Sequence, residues 1–137
     1  MGVILDSSVL IAGERRSESV REILKRVQTA CGDAVSALSV ITIVELTHGI
    51  YRAQNDTDRQ RRRAFVEELG HDMVVHPISV EVAELAGRIE GEQAARGVKI
   101  AFEDLLIGAT ALRIGYEVVT LNLRHFKRIP DLKVVHV

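Results

Sequence analysis

Short apolar runs alternate along the chain with longer segments in which apolar residues recur at helical spacing. We predict strands over residues 2–5, 34–37, 73–78, 117–121 and 133–137. We predict helices over residues 17–29, 58–69, 80–95 and 102–114, with further helical stretches after Asp6 and after Ser39. Gly97 and Gly115 follow two of these helices, at positions typical of helix termination.

This alternation predicts the fold class. Short apolar strands separated by helices favour a mostly parallel central sheet covered by helices on both faces, a three-layer α/β/α arrangement. In such sheets, ligands bind beyond the carboxyl ends of the strands. The polar residues that follow the strands are therefore the first candidates for a functional site.

Composition sets limits on this picture. A length of 137 residues suits a single domain spanning residues 1–137, and 47% hydrophobic residues suffice for one core. Aromatic residues make up only 4%, so the core must be largely aliphatic. The net charge is −1, with 18 basic and 19 acidic residues, whereas proteins that grip nucleic acid through many phosphates are usually basic. A nucleic-acid partner would therefore require a metal ion or a local cluster of basic residues.

Membrane and disulfide classes are disfavoured. No apolar run approaches the roughly 20 residues that a membrane span needs. The first residues lack a basic region and include an acid, so we interpret them as a strand and not as a signal peptide. Cys31 is the only cysteine, which excludes an internal disulfide and disfavours a cysteine-based zinc site. We expect a soluble cytoplasmic protein.

Two polar residues directly follow predicted strands. Asp6 comes after the apolar run of residues 3–5, and Asn122 comes shortly after that of residues 117–120. Both positions place a side chain at the carboxyl edge of the sheet. Each also has a simpler interpretation: Asp6 as a helix N-cap and Asn122 as an ordinary turn residue.

Two further acids lie in predominantly apolar segments. Glu45 interrupts the run of residues 40–46, and charged side chains are rarely buried unless they are paired or bind a metal. The alternative is a narrow solvent-facing stripe. Glu103 and Asp104 open an almost wholly apolar helix, which indicates that its amino end lies inside the protein. Favourable interaction with the helix dipole is the alternative explanation for these acids.

Converging carboxylates are chemically useful only with a cation. Without one they repel each other, and at least one pKa rises. Oxygen ligands suit Mg²⁺ or Mn²⁺ better than zinc, and such an ion can activate a water molecule and offset charge on a phosphate. The histidines show no metal-ligand spacing, and no glycine-rich nucleotide-binding motif is present.

At this point four segments resemble one family. They are Val-Ile-Leu-Asp-Ser-Ser from residue 3, Ser-Val-Ile-Thr-Ile-Val-Glu-Leu from residue 39, Asp-Leu-Leu-Ile-Gly-Ala-Thr-Ala-Leu from residue 104, and Val-Thr-Leu-Asn-Leu-Arg-His-Phe from residue 119. In this order they are similar to the PIN-domain nucleases, specifically the VapC-type ribonuclease toxins. The resemblance covers the chain end to end. It implies a PIN-like fold and Mg²⁺- or Mn²⁺-dependent hydrolysis of RNA phosphodiester bonds by a metal-activated water.

The resemblance also assigns roles to residues. It implies that Asp6 and Asp104 are the principal metal ligands, that Glu45 is the third acidic ligand, and that Asp104 is preferred over Glu103. The fourth catalytic position is Asn122, whose amide carries no charge, so it would orient a water or a ligand. Ser7 and Thr120 would be supporting hydrogen-bond groups.

Partners follow from the same resemblance: an RNA substrate, an inhibitory VapB-type antitoxin, and a homodimer that assembles into a toxin–antitoxin hetero-oligomer. We expect the apolar helices of the first half to offer a groove for an antitoxin helix. The arginines at 59 and 61–63, and the basic residues at 124, 125, 127 and 128, are either solvated surface or RNA contacts. Two rival classes remain. One is a catalytically idle PIN-like RNA- or protein-binding module, and the uncharged Asn122 keeps this alternative open. The other is a phosphotransfer receiver centred on Asp6, for which no neighbouring acid pair is evident.

Overall fold

The computed structural model describes residues 1–137 as alternating strands and helices. The strands are β1 (Gly2–Leu5), β2 (Val35–Ser39), β3 (Val74–His76), β4 (Glu117–Thr120) and β5 (Val134–His136). The helices are α1 (Ser7–Arg15), α2 (Val20–Cys31), α3 (Val40–Tyr51), α4 (Asp56–Asp72), α5 (Val80–Ala95), α6 (Phe102–Ile114) and α7 (Leu123–Phe126). None of these helices has the length and apolar character that crossing a membrane requires.

The strands form one sheet in the order β3-β2-β1-β4-β5, and every neighbouring pair is parallel. β1 is central. The chain adds β2 and β3 on one side of β1 and then returns to add β4 and β5 on the other. The direction of winding therefore reverses between β1 and β4, and a crevice is expected at their carboxyl ends.

The sheet separates two hydrophobic cores, because alternate side chains of a strand point to opposite faces. Ile4 and Val118 pack on one face with α5, α6 and α7. Val3 and Leu5 pack on the other face with α1, α2 and α4. Helix α3 contributes to both cores, which places it across the carboxyl edge of the sheet. This architecture confirms the predicted three-layer α/β/α fold.

The predicted elements differ from the structure mainly at their ends. α5 and α6 have the predicted bounds, and Gly115 ends α6 in the left-handed conformation with φ 75°. The helix predicted over residues 17–29 starts instead at Val20, because Ser19 and Glu22 form a reciprocal capping box. The short helix α7 was not predicted, since four residues are too few to show a helical period.

Candidate active site

Three acids reach the carboxyl edge of the sheet from three different elements. Asp6 directly follows β1, Glu45 lies in the second turn of α3, and Asp104 lies in the first turn of α6. The charge of Asp6 raises the pKa of both other carboxyls, and Asp104 also raises the pKa of Glu45. The three side chains, here called the acid cluster, therefore face a common space.

Asp6 is held by side chains and not by the helix that follows it. It occupies the N-cap position of α1, as the simpler interpretation predicted, but its side chain accepts no capping hydrogen bond. Its Oδ2 accepts hydrogen bonds from Ser8 Oγ at 2.7 Å and Thr120 Oγ1 at 2.8 Å. Its backbone N–H donates to the carbonyl of Val119 at 2.9 Å. Asp6 is only 3% exposed and is tied directly to β4.

Glu45 is half-buried, and the solvent-stripe interpretation is wrong for it. Its Oε1 is buried and has no hydrogen-bond partner. Burial is the main reason that the pKa of Glu45 is raised, and the charges of Asp6, Asp104 and Glu103 raise it further. The Ser7 hydroxyl offsets part of this rise. An acid in this state is poorly compensated by the protein's own groups.

Asp104 is the more buried of the two acids at the start of α6. Its side chain is 19% exposed, whereas Glu103 is an exposed residue. Burial raises the pKa of Asp104, and the charge of Asp6 adds to the rise, while His125 lowers it. The Nδ1 atom of His125 lies 3.6 Å from Oδ2 of Asp104. The sequence placed His125 only among basic residues near the site, and the structure assigns it a partner.

Asn122 contacts the residues around Asp6 through its main chain and not through its side chain. It is exposed at the N-cap position of α7, and its side chain forms no capping hydrogen bond. Its backbone N–H donates to Thr120 Oγ1 at 2.9 Å. The main chain of Asn122 therefore supports the acid cluster, and the amide side chain is free to reach a ligand. Thr120 supports Asp6 and Ser7 adjoins Glu45. The contribution of Ser8 was missed because its position was interpreted only as a helix start.

The basic run of α4 contacts other protein groups. Arg59 pairs with Asp56 at 2.8 Å, and Arg61 pairs with Glu14 at 3.2 Å. Arg62 donates to the carbonyl of Gly49 at 2.6 Å. The contacts of Arg61 and Arg62 connect α4 to α1 and α3, which favours a structural role for this face of the helix.

The acid cluster fits a hydrated Mg²⁺ or Mn²⁺ ion. No three His, Cys, Asp or Glu side chains are arranged to cage a metal ion directly. Mg²⁺ does not need such a cage, because it keeps several waters and is usually bound by one or two carboxylates. The unpartnered Oε1 of Glu45 and the raised pKa values of Glu45 and Asp104 are the signs of a missing positive charge. Oxygen donors favour Mg²⁺ or Mn²⁺ over zinc.

Comparison with known proteins identifies the family of the chain. The PIN domain model matches residues 3–132. Ribonuclease VapC1 of Rickettsia felis is 34% identical over 137 residues, covering 100% of this chain and 97% of the relative. The tRNA(fMet)-specific endonuclease VapC of Salmonella typhimurium is 34% identical over 97 residues, 71% of each protein.

A solved structure gives the same result. A chain in the structure of DNA-bound VapBC from Salmonella typhimurium superposes with a TM-score of 0.83 at 26% identity, covering 99% of this chain and 98% of that one. The chain belongs to the PIN domain family, and within that family it is of the VapC type. The resemblance inferred from the four sequence segments is thereby confirmed.

Proposed function

We propose that this chain is a Mg²⁺- or Mn²⁺-dependent endoribonuclease that acts as the toxin of a toxin–antitoxin module. The observation that carries the proposal is the acid cluster at the carboxyl edge of the sheet, with two raised carboxyl pKa values and one buried, unpartnered oxygen. The relatives named as VapC ribonucleases support RNA as the substrate.

Asp6, Asp104 and Glu45 would hold the ion, in part through the waters that Mg²⁺ keeps. When bound, the ion would neutralise charge on the scissile phosphate and make a water molecule a stronger nucleophile. Asp6 keeps a fixed orientation because Ser8 and Thr120 hold one of its oxygens. Glu45 has a raised pKa, which makes it a better proton acceptor than an exposed glutamate.

Groups around the acid cluster would contact the RNA. The exposed Asn122 amide has no charge and cannot act as a base, so it would donate a hydrogen bond to a phosphate or to the attacking water. Arg124 and Lys127 are exposed on the same short segment and would contact neighbouring phosphates. This local basic group compensates for the near-zero net charge of the chain.

A VapB-type antitoxin is the proposed protein partner, and the toxin is proposed to form a homodimer within the hetero-oligomer. An apolar trough beside the acid cluster is lined by residues of α1, α3 and α6, among them Ile11, Ile41, Val44 and Glu45. An amphipathic helix seated there would cover Glu45 and block the crevice. We expect Val44→Glu to weaken the complex in a pull-down with the cognate antitoxin, with Val74→Glu, on an exposed residue of β3, as the control. Unchanged binding by Val44→Glu would place the antitoxin elsewhere.

The decisive test of activity is RNA cleavage. We expect the wild-type chain to cleave bulk tRNA or an unstructured RNA with Mg²⁺, and to lose this activity with a chelator or with Asp6→Asn or Asp104→Asn. Cleavage retained by both variants would contradict the proposed site. RNA binding without cleavage by the wild type would favour the idle binding module instead.

A further inference from the structure

Two hydroxyl groups from opposite ends of the chain converge on one oxygen of Asp6. Ser8 Oγ and Thr120 Oγ1 lie 2.7 and 2.8 Å from Asp6 Oδ2, and they are 3.3 Å from each other. We call this arrangement the hydroxyl clamp. Ser8 is in the first turn of α1 and Thr120 ends β4, so the clamp links the first helix to the carboxyl end of β4.

The main chain fixes the direction of both hydrogen bonds. The N–H of Leu121 donates to Ser8 Oγ at 3.1 Å, and the N–H of Asn122 donates to Thr120 Oγ1 at 2.9 Å. A hydroxyl has one proton to donate. Because each hydroxyl already accepts a backbone N–H, its own proton is directed to Asp6. The 3.3 Å approach of the two hydroxyls is a consequence of sharing this acceptor.

The clamp leaves the two oxygens of Asp6 unequal. A carboxylate has about four acceptor positions, two on each oxygen. Both positions of Oδ2 are filled by the clamp. No protein group donates to Oδ1, and Oδ1 is not among the fully buried oxygens that lack a partner, so the small exposed part of Asp6 includes this atom. Only Oδ1 is available to a ligand.

We propose that Ser8 and Thr120 are positioning residues that restrict Asp6 to one-oxygen coordination and thereby favour Mg²⁺ over Ca²⁺. Ca²⁺ takes six to eight oxygens, often from bidentate carboxylates, whereas Mg²⁺ requires a compact octahedral set. An Asp6 with both oxygens free would accept the larger ion more readily. This inference rests on the proposed function only in requiring that the acid cluster binds a divalent cation.

The test measures metal affinity without RNA. Isothermal titration of the full chain with Mg²⁺ and with Ca²⁺ gives the affinity ratio for the wild type, Ser8→Ala and Thr120→Val. We expect Mg²⁺ affinity to fall about tenfold in each variant, as for other groups that orient metal ligands. Ca²⁺ affinity should stay the same or rise, because Asp6 could then offer both oxygens to the larger ion, so the ratio of Mg²⁺ affinity to Ca²⁺ affinity drops. Ser8→Thr and Thr120→Ser keep a hydroxyl, so they should keep the wild-type ratio of Mg²⁺ to Ca²⁺ affinity.

Controls separate the clamp from folding and from the proposed function. Thr29→Ala removes a hydroxyl that bonds to the Lys25 carbonyl on the exposed surface, and it should leave the ratio unchanged. Circular dichroism and Tm establish that each variant is folded, and if Ser8→Ala unfolds, Thr120→Val and the hydroxyl-keeping variants still decide the question. An unchanged ratio in folded, hydroxyl-free variants would overturn the clamp proposal alone. A wild type that binds neither ion would overturn both the metal site and the clamp.

Discussion

The acid cluster combines two kinds of carboxylate. Asp6 follows a central strand, is almost fully buried, and has two hydroxyl donors on one oxygen. Glu45 and Asp104 are carried by helices, are half-buried, and have pKa values raised by burial and by the charges of the neighbouring acids. One carboxylate is satisfied by the fold, and the other two are not.

This difference implies that the three carboxylates would have different roles in holding a cation. The strand-borne acid is rigid, because moving it would break contacts to both α1 and β4. The helix-borne acids carry an electrostatic cost that a cation would relieve. A site built in this way would have one fixed ligand and two that depend on occupancy.

Removing the charge of Asp6 should have the largest effect. We expect Asp6→Asn to lower kcat/KM for RNA cleavage by about 10³-fold or more, since several kcal/mol of charge stabilisation are lost. The two hydroxyl donors would also face an amide in place of a carboxylate. Steady-state kinetics with a fluorogenic RNA measures the loss. A smaller effect than that of Asp104→Asn would contradict the special position of Asp6.

Glu45 should matter for chemistry more than for binding. We expect Glu45→Gln to lower kcat by about 10²-fold with a smaller change in KM, the size typical of a proton-transfer group. The wild-type pH–rate profile should have a limb that rises with pH as Glu45 loses its proton, and the variant should lose this limb. An unchanged profile shape would show that Glu45 is a ligand only.

Without metal, the two helix-borne acids, Glu45 and Asp104, should lower the stability of the folded chain at high pH. Glu45 and Asp104 bind a proton more tightly in the folded state than in the unfolded state. The free energy of unfolding therefore falls as pH rises from an ordinary carboxyl pKa to the raised pKa, and it stays lower at higher pH. At pH 8 without metal, we expect Glu45→Gln or Asp104→Asn to raise Tm by about 2–4 °C. The increase should vanish at pH 4. A lower Tm at pH 8 would mean that these carboxylates stabilise the fold.

At pH 8, saturating Mg²⁺ should give the wild type a higher Tm than Asp104→Asn, the opposite of the order expected without metal. An ion at about 100 times its Kd stabilises the folded wild type by about 2.7 kcal/mol. Asp104→Asn should gain much less. Differential scanning calorimetry with Mg²⁺, and with the same ionic strength of NaCl as control, separates binding from screening. Equal stabilisation of wild type and variant would exclude Asp104 as a ligand.

The smallest effect is expected at Glu103. This exposed acid adjoins Asp104, but it is not part of the acid cluster. We expect Glu103→Gln to change kcat/KM by about twofold at most, the scale of an exposed surface charge. Because the substitution is matched to Asp104→Asn one residue away, the pair tests which acid is functional. A loss comparable to that of Asp104→Asn would reverse the assignment.

The sequence predicted the fold more completely than the site. Alternation of apolar runs with helical periods was enough for the parallel sheet, because those patterns report burial directly. Asp6 and Glu45 could be selected because each interrupts or ends an apolar segment. The sequence could not show that Ser8 and Thr120 share one oxygen of Asp6, since that contact joins residues over a hundred positions apart. It also gave no means of pairing His125 with Asp104.

The sheet order has a consequence for when the site can form during synthesis. Asp6 is synthesised 114 residues before Thr120, which donates to it and belongs to the pairing strand β4. A nascent chain that lacks β4 has neither the Thr120 hydroxyl nor the crevice wall that β4 provides. The site around Asp6 can therefore assemble only after β4 has been synthesised, which delays any activity of the nascent chain until that point.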